Sequence, residues 1–217
     1  MQASNNIYIP TLLPVMESFY TIQGEGFHQG KAAYFIRLGG CDVGCVWCDV
    51  KESWDENVHA KKSVSEIVST AVQEIKANHN YSAENNIAVI TGGEPLLHSL
   101  TELTTALQAA GFKTNIETSG SSPLSGKWDW ICLSPKKFKR PLPEILPLAN
   151  ELKVVIFNSS DLKWAEEYAQ QVSPSCKLYL QPEWDKRAIV TPLIIDYIKA
   201  NPIWQISLQI HKYIHVP

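Results

Sequence analysis

NIAVITGGEPLLHSLTELTTALQAAGFKTNIET, residues 86–118, decides the architecture. Asn86 to Thr91 is a short apolar run, expected as a strand. Gly92-Gly93 breaks it. From Leu97 to Ala110, Leu100, Leu103 and Leu107 share one helical face, and Gly111 closes the helix. Phe112 to Thr118 is again strand-like. A strand, a crossover helix and a second strand make a βα unit, and repeats of it build a parallel sheet. The same alternation extends outward. Further strands are expected at Lys31 to Leu38, Trp130 to Ser134, Leu152 to Phe157, Lys177 to Gln181 and Gln205 to Ile210. Further helices are expected at Ser63 to Ala77, Asp161 to Val172 and Leu193 to Lys199; Ser63 and Glu66 form a capping box at the first of these. Stretches 49–62, 121–127 and 135–147 read as loops or irregular segments. About six core strands fall short of a closed eight-unit barrel of ~250 residues. The expected fold is α/β, a single domain over 1–217, with an open, partial (βα)6-type barrel. Gly92-Gly93, Glu117 to Gly120 and Ser134 to Lys136 follow strands, at the end where such folds carry their sites.

The 217 residues are 45% hydrophobic and 19% charged with a net charge of −3, which gives no broad basic surface for nucleic acid. The opening MQASNNIYIPTLLPVMESF has no basic leader or long apolar run, and no window approaches a membrane span. A cytoplasmic protein with reduced thiols is expected. Cys132 and Cys176, isolated in apolar segments, read as buried inert thiols.

Cys41, Cys45 and Cys48 are different: three thiols within eight residues, in a loop after a strand, can converge on one metal centre. Structural zinc usually takes four protein ligands, and catalytic zinc rarely takes three closely spaced cysteines. Iron suits clustered thiolates; a 4Fe–4S cluster on three cysteines leaves one iron open to the amino and carboxylate groups of a methionine moiety. Zinc, or cysteines with no metal, remain the competing readings. Gly92 and Gly93 let a ligand approach the backbone and Glu94 favours an ammonium, unless the segment is only a turn. Gln23 and Glu25 offer a donor and acceptors in a glycine-rich turn. Arg37 alternates with Ile36 and Leu38 and so faces the open centre, suited to a carboxylate or to a structural salt bridge. The apolar ending HKYIHVP suggests a docked tail with the Pro217 carboxylate inside, as against ordinary packing.

CxxxCxxC with aromatic Trp47 before the last cysteine resembles the radical S-adenosylmethionine (SAM) superfamily, whose reduced cluster cleaves SAM to a 5′-deoxyadenosyl radical. That resemblance makes the fold a reduced radical SAM open barrel. It places Trp47, Gly92, Gly93, Glu94, Glu117, Ser119, Ser134, Lys136 and Gln181 around SAM. Over nearly the whole chain, through residues 17–26, 35–49, 91–95 and 209–217, the sequence is similar to the 7-carboxy-7-deazaguanine synthase family. The resemblance implies a carbon–nitrogen lyase acting in queuosine biosynthesis. It would contract the ring of 6-carboxy-5,6,7,8-tetrahydropterin, with loss of ammonia and regeneration of SAM. It also implies a homodimer and an external electron donor of flavodoxin or ferredoxin type. Gln23, Glu25, Gly26, Arg37, Thr91, His211 and Pro217 would hold the pterin. The family's magnesium is helped by a threonine after Cys-Asp; here Val50 stands at that position and has no side-chain oxygen, leaving Asp49, a backbone oxygen, water and substrate. Another radical SAM enzyme, such as a glycyl-radical activating enzyme, and a non-catalytic iron–sulfur or zinc module are the alternative functions.

Overall fold

The computed structural model describes residues 10–78 and 86–217. The first nine residues of the stretch read for a leader lie outside them. Among the described residues, nine strands form one open sheet: β1 (Leu12–Ile22), β2 (Ala32–Leu38), β3 (Ala60–Ser63), β4 (Asn86–Gly92), β5 (Phe112–Thr118), β6 (Trp130–Leu133), β7 (Glu151–Ile156), β8 (Lys177–Pro182) and β9 (Trp204–Ile206). Their spatial order is β3-β1-β2-β4-β5-β6-β7-β8-β9. From β2 to β9 every pairing is parallel, while β1 runs antiparallel to both β2 and β3. The α-helices are α1 (Val64–Asn78), α2 (Thr101–Ala109), α3 (Ser160–Ala169), α4 (Arg187–Ala200) and α5 (Ile210–Ile214).

Side-chain alternation separates two layers. Tyr34, Ile36 and Leu38 of β2, Ile90 of β4, Ile116 of β5 and Val154 of β7 point outward and are fully covered, meeting Ile67 and Ala71 of α1, Leu103 and Leu107 of α2, and Ile194 of α4 in one core. Ala33, Ile87 and Val89, with Phe35, form a second, smaller apolar cluster on the inner face. Further round, the inner face turns polar: Asn115, Glu117, Cys132, Glu151, Lys153 and Gln181. β4 is buried on both faces from Ile87 to Ile90, as a central parallel strand must be.

The open α/β architecture agrees with the sequence, and several details correct it. β1 was not anticipated, because Pro14 and a bulge between Val15 and Glu17 interrupt its alternation. β3, with Lys61 and Lys62, is a charged edge strand inside a stretch read as loop. Pro95–Leu97 forms a separate 3-10 turn, so α2 starts only at Thr101. α4 begins six residues before Leu193 and contains Pro192. No α-helix joins β5 to β6 or β6 to β7. The expected strand Gln205 to Ile210 ends at Ile206, because the chain turns to dock: Ser207 Oγ accepts from Gly26 N (2.9 Å) and donates to Gln181 Oε1 (2.8 Å), and Ile210 N donates to Gly24 O (3.0 Å). Cys132 and Cys176 are buried free thiols, as expected.

Candidate active site

A cavity of about 300 Å³ opens at the carboxyl ends of the parallel strands. The residues expected to hold cluster, SAM, substrate and magnesium line it with one exception, Gly26. Gly26 sits behind the wall at φ +64°, where an added Cβ would lie 1.9 Å from Glu151 Oε1. Its glycine is needed for close packing, and Gly24 lines the cavity instead.

The cysteine loop is laced to the strands below it. Gly93 N donates to Leu38 O (2.9 Å), Glu94 N to Gly40 O (2.8 Å) and Gly40 N to Ser53 O (2.7 Å). A Cβ on Gly93 would stand 2.0 Å from Gly40 O and 2.9 Å from Cys41 Cβ, so only glycine allows the GG turn to meet the cysteine loop. Burial, together with the neighbouring acidic groups, pushes the Cys41 thiol up; burial likewise raises Cys45, against the opposing Lys136 ammonium. Among the described residues no three Cys, His or carboxylate side chains gather tightly enough for one metal ion. A multi-iron cluster takes each sulfur on a different iron, so it does not need the three sulfurs gathered on one point. Trp47 stacks on Phe157 (5.5 Å, 21°) and tilts against Phe138, walling the loop with aromatic surface.

Glu94 is held from several sides. Its buried carboxylate accepts from Thr118 Oγ1 (2.5 Å), Ser119 N (2.8 Å), Ser119 Oγ (2.5 Å) and Leu96 N (3.1 Å). These bonds from β5 and the turn make the side chain a brace for the GG turn at the cavity wall. Ser134 Oγ and O both accept from Lys136 Nζ (2.5 and 2.8 Å). Burial lowers the Lys136 ammonium. Gln181 is held by Ser207.

Beneath the opposite wall lies a charged network missed in the sequence. Lys153, 4% exposed on β7, donates to Glu25 Oε2 (2.6 Å) and Glu117 Oε2 (2.9 Å). Gln209 Nε2 donates to Glu25 Oε1 (2.9 Å), Gln23 Nε2 to Glu117 Oε1 (3.3 Å) and Glu25 N to Gln23 Oε1 (3.1 Å). Burial opposes the Glu25 charge, but the Lys153 ammonium and hydrogen bonds from Lys153 and Gln209 outweigh it and hold the carboxyl at about 2. The inward position of Lys153 within LKVVIF was the available signal, since a lysine in such a run demands a buried partner.

Arg37 lines the cavity, and its Nε donates to Glu17 Oε1 at 2.7 Å, the structural salt bridge that was one of its two readings. His211 packs on Gly24, where a Cβ would lie 2.0 Å from its Nδ1; burial lowers its pKa. Pro217 corrects the tail reading: it lies exposed at the rim, its O accepting from Thr21 Oγ1 (3.4 Å). The two residues expected at magnesium each carry a hydrogen bond. Asp49 Oδ2 accepts from Lys212 Nζ (3.0 Å), and Val50 O accepts from Ser53 Oγ (2.6 Å) and Ser53 N (3.1 Å). With no side-chain oxygen at Val50, Asp49 is the single side-chain donor this pair offers to a hard, oxygen-preferring ion.

No protein-family model matches the chain. Relatives match it almost end to end. A 7-carboxy-7-deazaguanine synthase of Flavobacterium psychrophilum is 51% identical over 206 residues, 95% of this chain and 93% of the relative. The chain belongs to the 7-carboxy-7-deazaguanine synthase family. The family member of Synechocystis is 47% identical over 94% of this chain and 93% of its own length. The crystal structure of QueE from Escherichia coli superposes with a TM-score of 0.78 at 31% identity, covering 91% of this chain and 93% of that one. Family membership accounts for the shared open fold, and the Cys41–Cys48 loop carries the radical SAM signature within it.

Proposed function

We propose that this chain is a 7-carboxy-7-deazaguanine synthase, converting 6-carboxytetrahydropterin to 7-carboxy-7-deazaguanine with release of ammonia, in queuosine biosynthesis. The meeting of the cysteine loop, the Gln23–Glu25 turn and His211 on one cavity carries the reading, in a chain 51% identical to a synthase of that name. When bound on Cys41, Cys45 and Cys48, a 4Fe–4S cluster supplies an electron to SAM and so the radical that takes hydrogen from the substrate.

The chain's own residues position and shield. Gly92 and Gly93 bring backbone beside the cysteine loop, leaving room for the methionine end of SAM between that turn and Ser134, Lys136 and Ser119. Gln181 stands on the wall assigned to adenine. Glu25 stays ionised at every working pH and accepts N–H groups of a pterin edge; Gln23 adds a donor and an acceptor. Lys153 fixes both Glu25 and Glu117, so the wall is oriented before the substrate arrives. Arg37, Thr91, His211 and Pro217 close the substrate end, with the Arg37 guanidinium offered to the substrate carboxylate. Trp47, Phe138 and Phe157 limit water at the cluster loop. No step runs through magnesium, because Asp49 and Val50 are already engaged by Lys212 and Ser53.

The whole chain acts as one domain, taken up in a homodimer, reduced by a flavodoxin- or ferredoxin-type donor in the cytoplasm. No described helix is long and apolar enough to cross a membrane. The test is anaerobic turnover of reconstituted protein with reductant, SAM and 6-carboxytetrahydropterin, followed by mass spectrometry. The expected result is 7-carboxy-7-deazaguanine with little net loss of SAM. Cleavage of SAM without that product would refute the substrate, and failure to bind a cluster would refute the class.

A further inference from the structure

Trp54 has no place in the chemistry described so far, yet it touches the cluster loop. The 3-10 turn Lys51–Ser53 folds the chain back after Cys48, closed by Trp54 N donating to Lys51 O (3.1 Å). Ser53, 1% exposed, pins that turn through its Oγ on Val50 O. The returning backbone then runs beside the start of the cysteine loop, with Gly40 N donating to Ser53 O (2.7 Å) and Cys41 N to Trp54 O (3.2 Å). Fixed on both sides, the indole lies in the cavity wall, and its Nε1–H donates to Cys48 Sγ at 3.4 Å. Among the described residues, Cys48 is the one cysteine of the three whose sulfur receives a hydrogen bond from a side chain, one brought back from outside the loop.

A donor on a cluster-ligating sulfur draws electron density from it and favours the more negative, reduced cluster. We propose that Trp54 is a positioning residue for the electron-transfer step: its indole N–H, through Cys48, raises the midpoint potential of the cluster into the reach of a weak physiological donor. The step is a one-electron reduction of the cluster by a flavodoxin- or ferredoxin-class donor; no bond is made or broken at Trp54, and no proton leaves it. The inference rests on the cluster assignment made above, but not on the identity of the substrate.

The test is an anaerobic redox titration of reconstituted wild-type and Trp54→Phe holoenzyme, followed by electron paramagnetic resonance at fixed pH without substrate. Phenylalanine keeps a ring in the wall and deletes only the donor. The expected result is equal iron and sulfide content and an about tenfold smaller equilibrium constant for reduction, which is about 59 mV towards negative potential for one electron. Turnover with a flavodoxin system should fall while turnover with a strong chemical reductant is retained. A change of less than about twofold in that constant, with the cluster intact, would overturn the proposal. If Trp54→Phe fails to assemble a cluster, the decision passes to wild-type protein carrying isotope-labelled indole nitrogen. A nitrogen coupling to the reduced cluster is expected, and its absence overturns the proposal. A potential shift in an enzyme that makes no deazaguanine would leave this inference standing and sink the substrate assignment instead.

Discussion

Replacing Lys153 by methionine removes the one ammonium that holds Glu25 and Glu117 together at 2.6 and 2.9 Å, in a place where the lysine side chain is 5% exposed. Methionine keeps most of the length and apolar volume, so the loss is of charge rather than packing. Breaking a buried pair from one side costs about 3–5 kcal/mol. A second route gives a similar figure. Glu25 is held at about 2 against its ordinary 4.5; at about 1.4 kcal/mol for each tenfold change in proton affinity, that is about 3 kcal/mol of stability at neutral pH. The sign is fixed by a depressed carboxyl: the contribution is present above pH 4.5 and lost as pH falls towards 2. Wild type and Lys153→Met should therefore differ by about 3–5 kcal/mol at pH 7 in urea unfolding of the apoprotein, and the gap should narrow at pH values below 4.5. On heating, the variant should melt lower by about 6–20 °C, at 2–4 °C per kcal/mol for a chain of this size. A variant within about 1 kcal/mol of wild type at pH 7, or a gap independent of pH, would refute the claim that Lys153 carries this wall.

Gly26→Ala should lose about 1–3 kcal/mol from its left-handed backbone alone, with more from collision with Glu151, measured by thermal melting. Burial lowers the His211 pKa, so the contribution of the neutral imidazole to holding the tail is present above pH 6.5 and lost as pH falls below it. Hydrogen exchange across residues 209–217 should accordingly speed up on acidification, beyond the intrinsic rate, in wild type and not in His211→Phe. Turnover after exhaustive chelation should change by less than about twofold on adding magnesium, because the donors at Asp49 and Val50 are occupied; strict dependence on the ion would show that they rearrange.

The parallel part of the sheet was legible because central strands such as β4 are apolar on both faces, a pattern that survives without knowledge of neighbours. β1 was not, because an antiparallel strand with a proline and a bulge keeps no clean period. Among site residues, the cysteine loop and the glycine turn announce themselves by spacing, since both must bring backbone close to a ligand. Lys153, Gln209 and Ser207 do not: each owes its importance to partners distant in sequence, Lys153 to Glu25 at a separation of 128 residues. Glu94 shows the converse, a residue found by motif whose buried carboxylate the fold spends on its own turn. Trp54 lay in a stretch read as loop, where nothing local shows that the chain doubles back onto Cys48.

The barrel is an incomplete ring, and what bridges its gap differs in kind from what makes the rest of it. Between neighbouring strands the bond is a ladder of backbone hydrogen bonds. Near the Gln23–Glu25 turn, the chain after β9 is joined instead by Ile210 N on Gly24 O, Gln209 on Glu25, Ser207 on Gly26 N and Lys212 on Asp49. A seam of separate side-chain and single backbone bonds can part locally, while a ladder yields only as a unit. The wall beside the cavity is thus where amide hydrogens should exchange first, bond by bond, while the ladders of the sheet and its hydrophobic core keep theirs.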